Sequence, residues 1–116
     1  MTIDELRRET GVPVVIADHQ GVITYVNEPF EQVFQWSSHE IIGQPLVVII
    51  PKGFHDAHHL GFSRFLTTET STLLDRPLKL KAVTKDGREF DAEHVICAEQ
   101  RQGHWAFGAT IRPLPE

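Results

Sequence analysis

The chain has 116 residues, of which 41% are hydrophobic and 23% charged, the size and composition of one soluble globular domain. Its net charge of -5 and its lack of any Lys/Arg block argue against a nucleic-acid or anionic-membrane surface. Cys97 is the only cysteine, so no disulfide forms within the chain, and no apolar run is long enough to cross a bilayer. Together with an N-terminus that lacks an apolar signal sequence, these features predict a cytoplasmic protein.

The first predicted element is a short amphipathic helix within residues 1–11. Thr2 and Glu5 have the spacing of a capping box, which satisfies two backbone N–H groups at the start of a helix. Ile3 and Leu6 give this helix one apolar side, and an exposed apolar side needs a cover. We therefore predict a homodimer in which residues 1–11 act as a dimerisation cap, packed against the partner or its sheet.

A β-hairpin is expected next. The segments "VPVVIAD" (12–18) and "VITYVN" (22–27) are rich in β-branched residues, as strands are. The turn between them contains Gly21, which can adopt a positive φ.

Short helices are predicted after the hairpin. Asn27 is an expected N-cap because Pro29 follows within the first helical turn. Ser37 or Ser38 caps another short turn, "SSHEII". The apolar segment "QPLVVIIP" (44–51) is interpreted as a buried helical turn, although its periodicity alone also allows a strand.

A longer helix of about four turns is predicted for "FHDAHHLGFSRFL" (54–66). At roughly 100° per residue, its core-facing side contains Phe54, His58, Gly61, Phe62 and Phe65. His55 falls at the edge of that side and His59 toward the polar side, so both are expected to meet water. These two have the i, i+4 spacing that can share a metal ion, but no third ligand stands at a recognisable spacing. A solvated helix edge is the better interpretation.

Three strands are predicted to complete the chain: "RPLKLKAVT" (76–84), "REFDAEHVICA" (88–98) and "HWAFGATIRPL" (104–114). The turn "KDG" (85–87) joins the first two. Alternation directs one set of side chains to a common inner face: Leu78, Leu80, Ala82, Phe90, Ala92, His94 and Ile96. The order of elements predicts an α+β fold, with an antiparallel sheet, short helices packed on one face and an N-terminal helix.

These elements and motifs resemble the PAS domain family. The matching motifs are "D-x-x-G-x-I-x-x-V-N" in the hairpin, "W-S-x-x-E-I-I-G" after it and "K-D-G-R-E-F" at the last hairpin turn. The resemblance extends over nearly the whole chain from Val12, so residues 12–114 are assigned to a PAS domain. It implies a five-stranded antiparallel sheet whose inner face, with the central helices, encloses a small pocket. It also implies a sensory or dimerising module that regulates a histidine kinase, cyclase or transcription domain and is not itself an enzyme.

The resemblance gives His58 a specific expected role. In FixL-type haem sensors the corresponding helix supplies the proximal haem ligand, and counting back from "SRFLTT" places His58 at that position as an axial metal ligand. His94 corresponds to the distal side, where it could be a second axial ligand or a hydrogen-bond donor. The distal arginine of those sensors falls near Leu78 here, with Arg76 as the only substitute.

The residues expected to contact a ligand are His58, Phe62, Phe65, Arg76, Leu78, Leu80, His94 and Ile96. No cofactor is assigned with certainty, because haem competes with two buried histidines that are hydrogen-bonded to carbonyls or to another small ligand. Flavin photochemistry of the LOV type is not expected, because "GFSRFLTT" lacks the cysteine of that family's "N-C-R-F-L-Q" motif. Cys97 is expected to face away from the pocket.

Two functions of different class follow from the sequence. In one, the pocket binds haem or another small molecule and relays its occupancy through the sheet to the termini. In the other, the domain is a ligandless protein-interaction module that pairs through the N-terminal helix and the exposed sheet face. No set of residues indicates catalysis.

Overall fold

A computed structural model describes residues 1–69 and 73–115 of the chain. In chain order its elements are α1 (Ile3–Arg8), β1 (Val14–Ala17), β2 (Ile23–Val26), α2 (Glu28–Phe34), α3 (Ser38–Ile41), α4 (His55–Thr68), β3 (Leu78–Val83), β4 (Glu89–Arg101) and β5 (His104–Pro113). Two 3₁₀ turns, at Leu46–Ile49 and Lys52–Phe54, join α3 to α4. The apolar segment 44–51 is therefore a helical turn, as predicted, and its Ile49 is buried.

The strands form one antiparallel sheet in the order β2-β1-β5-β4-β3, which confirms the predicted five-stranded architecture. The central strand β5 pairs with β1 on one side and β4 on the other. The edge at β2 is covered by the segment that follows α3, where the Ile23 N–H donates to the Gln44 carbonyl at 2.9 Å. The other edge of the sheet is β3.

The inner face of the sheet carries the main core, and the predicted helix caps hold the helices over it. The Asn27 side chain accepts from the Phe30 N–H, and Ser37 forms a capping box with Glu40. Phe30 and Phe34 are fully buried, with ring centroids 4.2 Å apart. This core orders the helical layer that faces the candidate site.

The outer face of the sheet is covered in part by α1. Thr2 and Glu5 form the predicted capping box. Ile3 and Leu6 are each 1% exposed and pack with Val14, Ile16 and Cys97 of the chain's own sheet. The apolar side that suggested a dimerisation cap is thus covered within one chain, and the homodimer stays a prediction.

Three residues predicted to face the core are exposed. Phe54 is 51% exposed because it belongs to the 3₁₀ turn before α4, so its direction does not follow the wheel of that helix. Leu80 is 43% exposed because it lies on the edge strand β3, although it is paired with the buried Ala92. Gly61, on α4, is also exposed.

Gly87 has φ = 93° in the turn between β3 and β4, where the Gly87 N–H donates to the Thr84 carbonyl at 3.0 Å. A side chain there would meet open space, so the cost of Gly87→Val comes from backbone strain alone. We expect the free energy of unfolding to fall by about 1 kcal/mol or more in denaturant titrations. Gly53→Val is the control, because Gly53 also faces open space and lacks a positive φ. An equal free energy of unfolding in both variants would contradict backbone strain at this turn.

Candidate functional site

The α4 helix carries three histidines in different surroundings. His58 is half-buried, with its ring centroid 6.0 Å from that of Phe62 and 5.7 Å from that of His59. Burial lowers the pKa of His58, and the neighbouring His59 and His55 lower it further. His58 is therefore held as a neutral imidazole, the form that binds a metal ion.

His55 differs from the expectation that it meets water. Its side chain is half-buried, and its Nε2 lies 2.7 Å from the Ile50 carbonyl oxygen. Because a carbonyl only accepts, Nε2 carries the proton in this contact. His55 therefore ties the first turn of α4 to the segment before it, whereas His59 is exposed as predicted.

Substitution of these three histidines separates their roles. His58→Ala removes a half-buried ring next to Phe62, and we expect it to lower the free energy of unfolding by about 1–3 kcal/mol. His55→Ala loses its hydrogen bond to Ile50, so a loss of about 1 kcal/mol is expected. His59→Ala, at the exposed position, should change it by less than about 0.5 kcal/mol in the same denaturant titration. Equal effects of all three changes would contradict the observed orientation of α4.

Aromatic side chains join α4 to the first half of β5. The Phe62 and Phe107 ring centroids are 5.0 Å apart, and Phe65 lies 5.3 Å from Phe107 and 4.9 Å from Trp105. Phe62 also approaches Gly21, where a Cβ atom would lie 3.6 Å from the Phe62 ring. Phe62 and Phe65 therefore hold α4 on the sheet. Sequence reasoning did not assign Trp105 and Phe107 to the site, although alternation along β5 places both on the face that carries Ile111.

His94 lies on the inner face of β4, between Leu78 on β3 and Ile111 on β5. Its Nδ1 is 3.2 Å from the Ala92 carbonyl oxygen, which places the proton on Nδ1 and leaves Nε2 as an acceptor. Burial lowers the pKa of His94, and the Ala92 hydrogen bond opposes this only in part. His94 is thus a neutral imidazole on an otherwise apolar strand surface.

The lowered pKa of His94 predicts a pH-dependent stability. As pH falls below the ordinary histidine value of about 6.5, the unfolded chain takes up the proton before the folded chain does. The free energy of unfolding should therefore be at its full value above that pH and fall as the pH drops below it. In His94→Gln this fall should be smaller. Denaturant titrations between neutral and mildly acidic pH measure both slopes. Identical slopes in the wild type and the variant would contradict the burial of this imidazole.

The predicted site residues fall into two groups. His58, Phe62 and Phe65 lie on α4, whereas Leu78, His94 and Ile96 share the inner face of β3 and β4. No ring contact joins His58 to His94 within residues 1–69 and 73–115. Leu80 and Arg76 are exposed, and the segment before β3 is held by the Asp75 N–H, which donates to the Ile96 carbonyl at 2.8 Å.

Two surface cavities lie outside this set of residues. One, of about 460 Å³, is between α1, β2 and the start of α2. The other, of about 310 Å³, is beside α1 on the outer face of the sheet. In the part of the chain that the structure describes, no three His, Cys, Asp or Glu side chains are grouped to hold a metal ion, and no helix is long and apolar enough to span a membrane.

Cys97 is buried on the outer face beneath α1, as its strand parity predicts. Burial raises the pKa of its thiol. It therefore lies on the opposite side of the sheet from His94.

Comparison with known proteins places these features in a family. The family model described as the PAS fold matches residues 4–113. An uncharacterised protein from Azorhizobium caulinodans is 31% identical over 104 residues, which cover 89% of this chain and 14% of that protein. The sensor protein FixL from Bradyrhizobium diazoefficiens is 26% identical over 103 residues, which cover 89% of this chain and 20% of that protein. The chain thus spans at most a fifth of these relatives.

Solved structures agree in fold. A PAS domain from Desulfitobacterium hafniense has a TM-score of 0.74 and 14% identity, covering 95% of this chain and 99% of that one. A PAS domain from Colwellia psychrerythraea has a TM-score of 0.71 and 19% identity, covering 88% of this chain and 85% of that one. The antiparallel sheet, its helical layer and the match over residues 4–113 lead to one conclusion: this chain belongs to the PAS family.

Proposed function

We propose that this chain is the sensory domain of a larger cytoplasmic signalling protein, and that it binds a small molecule between α4 and the inner face of β3–β5. One observation carries the proposal: His58 beside Phe62, and His94 between Leu78 and Ile111, are half-buried imidazoles whose pKa is lowered by burial. A half-buried imidazole beside apolar side chains offers a specific polar contact for a ligand. In this proposal the domain regulates an output domain and performs no catalysis itself.

The residues have distinct parts in this proposal. His94 presents Nε2 to the ligand because Nδ1 is engaged by the Ala92 carbonyl. Leu78 and Ile96 supply apolar surface beside it. Phe65 couples the position of α4 to Trp105, so ligand binding should change the fluorescence of Trp105.

The experiment is an absorbance spectrum and mass spectrometry of small molecules extracted from freshly purified protein. We expect one compound to be present in the wild type and lost in His94→Leu, whereas His59→Ala, at an exposed position, retains it. The compound, added back to stripped protein, should alter tryptophan fluorescence in a saturable way. The absence of any retained compound, or its equal retention by both variants, would contradict the proposal.

Haem is the second candidate ligand, and the neutral state of His58 favours it. The donor set fits, since His58 and His94 both present neutral imidazoles on apolar surfaces. His58 would hold the iron, and His94, whose Nε2 carries no proton, would supply a second nitrogen ligand. A bound haem would supply the gas and redox chemistry of the site. Haem ranks second because Leu78 stands where the FixL-type haem sensors have their distal arginine, and Arg76, the only substitute, is exposed.

Titration with haemin tests this candidate directly. A sharp Soret band is expected in the wild type and in His59→Ala, and its loss is expected in His58→Ala. His94→Ala should keep haem and change its spin state. Only a broad band of adsorbed haemin, equal in all variants, would reject haem without affecting the search for other ligands.

We also propose that the chain pairs as a homodimer through α1, which is the alternative function if no ligand is found. The acidic residues Asp4 and Glu5 lie in the first turn of α1 and the basic residues Arg7 and Arg8 in its last turn. Two such helices side by side in opposite directions would pair opposite charges. Light scattering of the chain without residues 1–10 tests this. A dimer that persists excludes α1 from the interface, and a monomeric wild type rejects the homodimer.

A further inference from the structure

A cleft beside α1 on the outer face of the sheet has the features of a second ligand site. Its volume of about 310 Å³ falls at the lower end of the roughly 300–1,000 Å³ range of small-molecule sites. Its apolar floor is formed by Ile3, Ile16 and Ala106. Arg7, Arg101, His19 and His104 stand around that floor, and we call this site the α1 cleft.

Arg7 is the cation in this cleft that has no carboxylate partner among residues 1–69 and 73–115. Its guanidinium lies over the Tyr25 ring, 5.1 Å from the ring centroid. The Tyr25 hydroxyl donates to the Arg7 carbonyl at 3.3 Å, so the same tyrosine fixes the end of α1. A guanidinium placed in this way keeps its N–H donors available for a planar acceptor such as a carboxylate.

Two histidines line the cleft: His19 lies in the turn between β1 and β2, and His104 is the first residue of β5. The rings of His19 and His104 are stacked, with centroids 4.6 Å apart and planes inclined by 24°. Each imidazole ring offers an N–H donor and an apolar ring face. The pair therefore adds hydrogen-bond donors to the cleft.

The acidic groups near the cleft are already engaged. Asp18 lines it, but its Oδ1 accepts from the backbone N–H groups of Gln20 and Val22 at 2.9 and 3.0 Å. Asp4 pairs with Arg101 at 3.3 Å. Glu99 lies 3.9 Å from Arg101 and accepts from the Ile3 N–H at 3.1 Å. Arg7 is thus the cation left for an external anion.

We propose that the α1 cleft binds a small organic carboxylate. The carboxylate pairs with Arg7 and accepts from the imidazoles of His19 and His104, and the apolar body of the ligand lies on the half-buried Ala106, above the buried Ile3 and Ile16. Because Arg7 belongs to α1, His19 to the β1–β2 turn and His104 to β5, the ligand fastens α1 to the sheet. This site lies on the opposite face from His94 and does not depend on the function proposed above.

The test compares benzoate with its neutral isostere benzamide at constant ionic strength, using ¹⁵N-labelled full-length chain. Benzoate should shift the backbone amide signals of Arg7, His19 and His104 in a saturable way, and benzamide should bind much more weakly. Arg7→Gln should weaken benzoate binding by about five-fold or more, because one charge-assisted pair is lost. Arg8→Gln is the matched control: Arg8 is exposed on the same helix and does not line the cleft. It should change the affinity by less than about two-fold.

A second variant, His104→Gln, should also weaken benzoate binding. A melting temperature equal to that of the wild type shows that each variant is folded. Equal binding of benzamide would show that the carboxylate is not recognised. An equal loss of benzoate affinity in Arg7→Gln and Arg8→Gln would show that only the net charge of the protein matters. Signals that shift at His94 and Phe62 instead would place benzoate on the inner face. Each of these results, or the lack of saturable binding at millimolar benzoate, would overturn the proposal.

Discussion

Gly108→Val should displace α1 from the sheet and lower the free energy of unfolding by about 2–3 kcal/mol. A Cβ atom at Gly108 would lie 2.3 Å from Leu6 Cδ1 and 3.2 Å from Ile3 Cδ1. Leu6 and Ile3 are each 1% exposed, so neither side chain can move aside into solvent while α1 stays in place. Valine otherwise suits a strand better than glycine, and the expected loss therefore comes from the contact with α1 alone.

Denaturant titration gives the magnitude, and deletion of residues 1–10 supplies the control. In the shortened chain, Gly108→Val should cost little, because the side chains it would strike are gone. The difference between the two backgrounds measures the coupling of Gly108 to α1. Hydrogen exchange of the α1 amides should also become faster in the full-length variant. An equal loss of stability in both backgrounds would contradict a docked α1.

Asn27→Leu should lower the free energy of unfolding by about 3 kcal/mol or more, since it removes the partner of two buried N–H groups and two partly buried carbonyls. The Asn27 Oδ1 accepts from the N–H groups of Val14 and Phe30 at 2.9 and 3.1 Å. Its Nδ2 donates to the carbonyls of Glu9 and Val12 at 3.1 and 2.8 Å. The side chain is thus both the cap of α2 and the junction between the α1–β1 linker and the sheet, and it is only 7% exposed.

Ser37→Ala is the matched control for Asn27→Leu, because Ser37 caps α3 at an exposed position and bonds to no linker. It should cost about 1 kcal/mol, the usual value of a lost cap. Thermal or denaturant unfolding of the two variants separates the cap from the junction. If both lose the same stability, the bonds to Glu9, Val12 and Val14 contribute nothing.

The local rules of the sequence predicted most of the fold correctly. Capping at Thr2, Asn27 and Ser37 located helix starts, and a positive φ at Gly21 and Gly87 located two hairpin turns. These features depend on a few neighbouring residues, which is why they can be read from the chain. Strand parity likewise placed His94 on the inner face and Cys97 on the outer face.

The errors concern what covers a side chain, which depends on residues far away in the chain. Phe54 was predicted to face the core because the helical wheel included one residue before α4, which begins at His55. Leu80 has the right parity, but an edge strand receives less cover than a central one. The cover for Ile3 and Leu6 is the chain's own sheet, and no local pattern indicates that Gly108 leaves room for them.

The candidate site could be predicted only as a set of residues. His58 and His94 were identified from helix phase and strand parity, and both are half-buried with a lowered pKa. The bond of His55 to the Ile50 carbonyl depends on the 3₁₀ turns before α4, whose path the sequence does not specify. The α1 cleft escaped sequence reasoning because its histidines are 85 positions apart and meet only when β1 and β5 pair.

Neighbouring residues of the central strand β5 contact the two layers of the domain. Phe107 touches Phe62 and Phe65 of α4, and the next residue, Gly108, lies against Leu6 of α1. The residues that contact α4 and α1 are thus joined by a single peptide plane, although about fifty residues separate the two helices along the chain. A small rotation of this one plane would displace the side chains of both helices at once, and the signal relay proposed above would then have a direct path across the sheet. Sequence changes at position 107 or 108 should consequently alter the sensitivity of the domain before they alter what it senses.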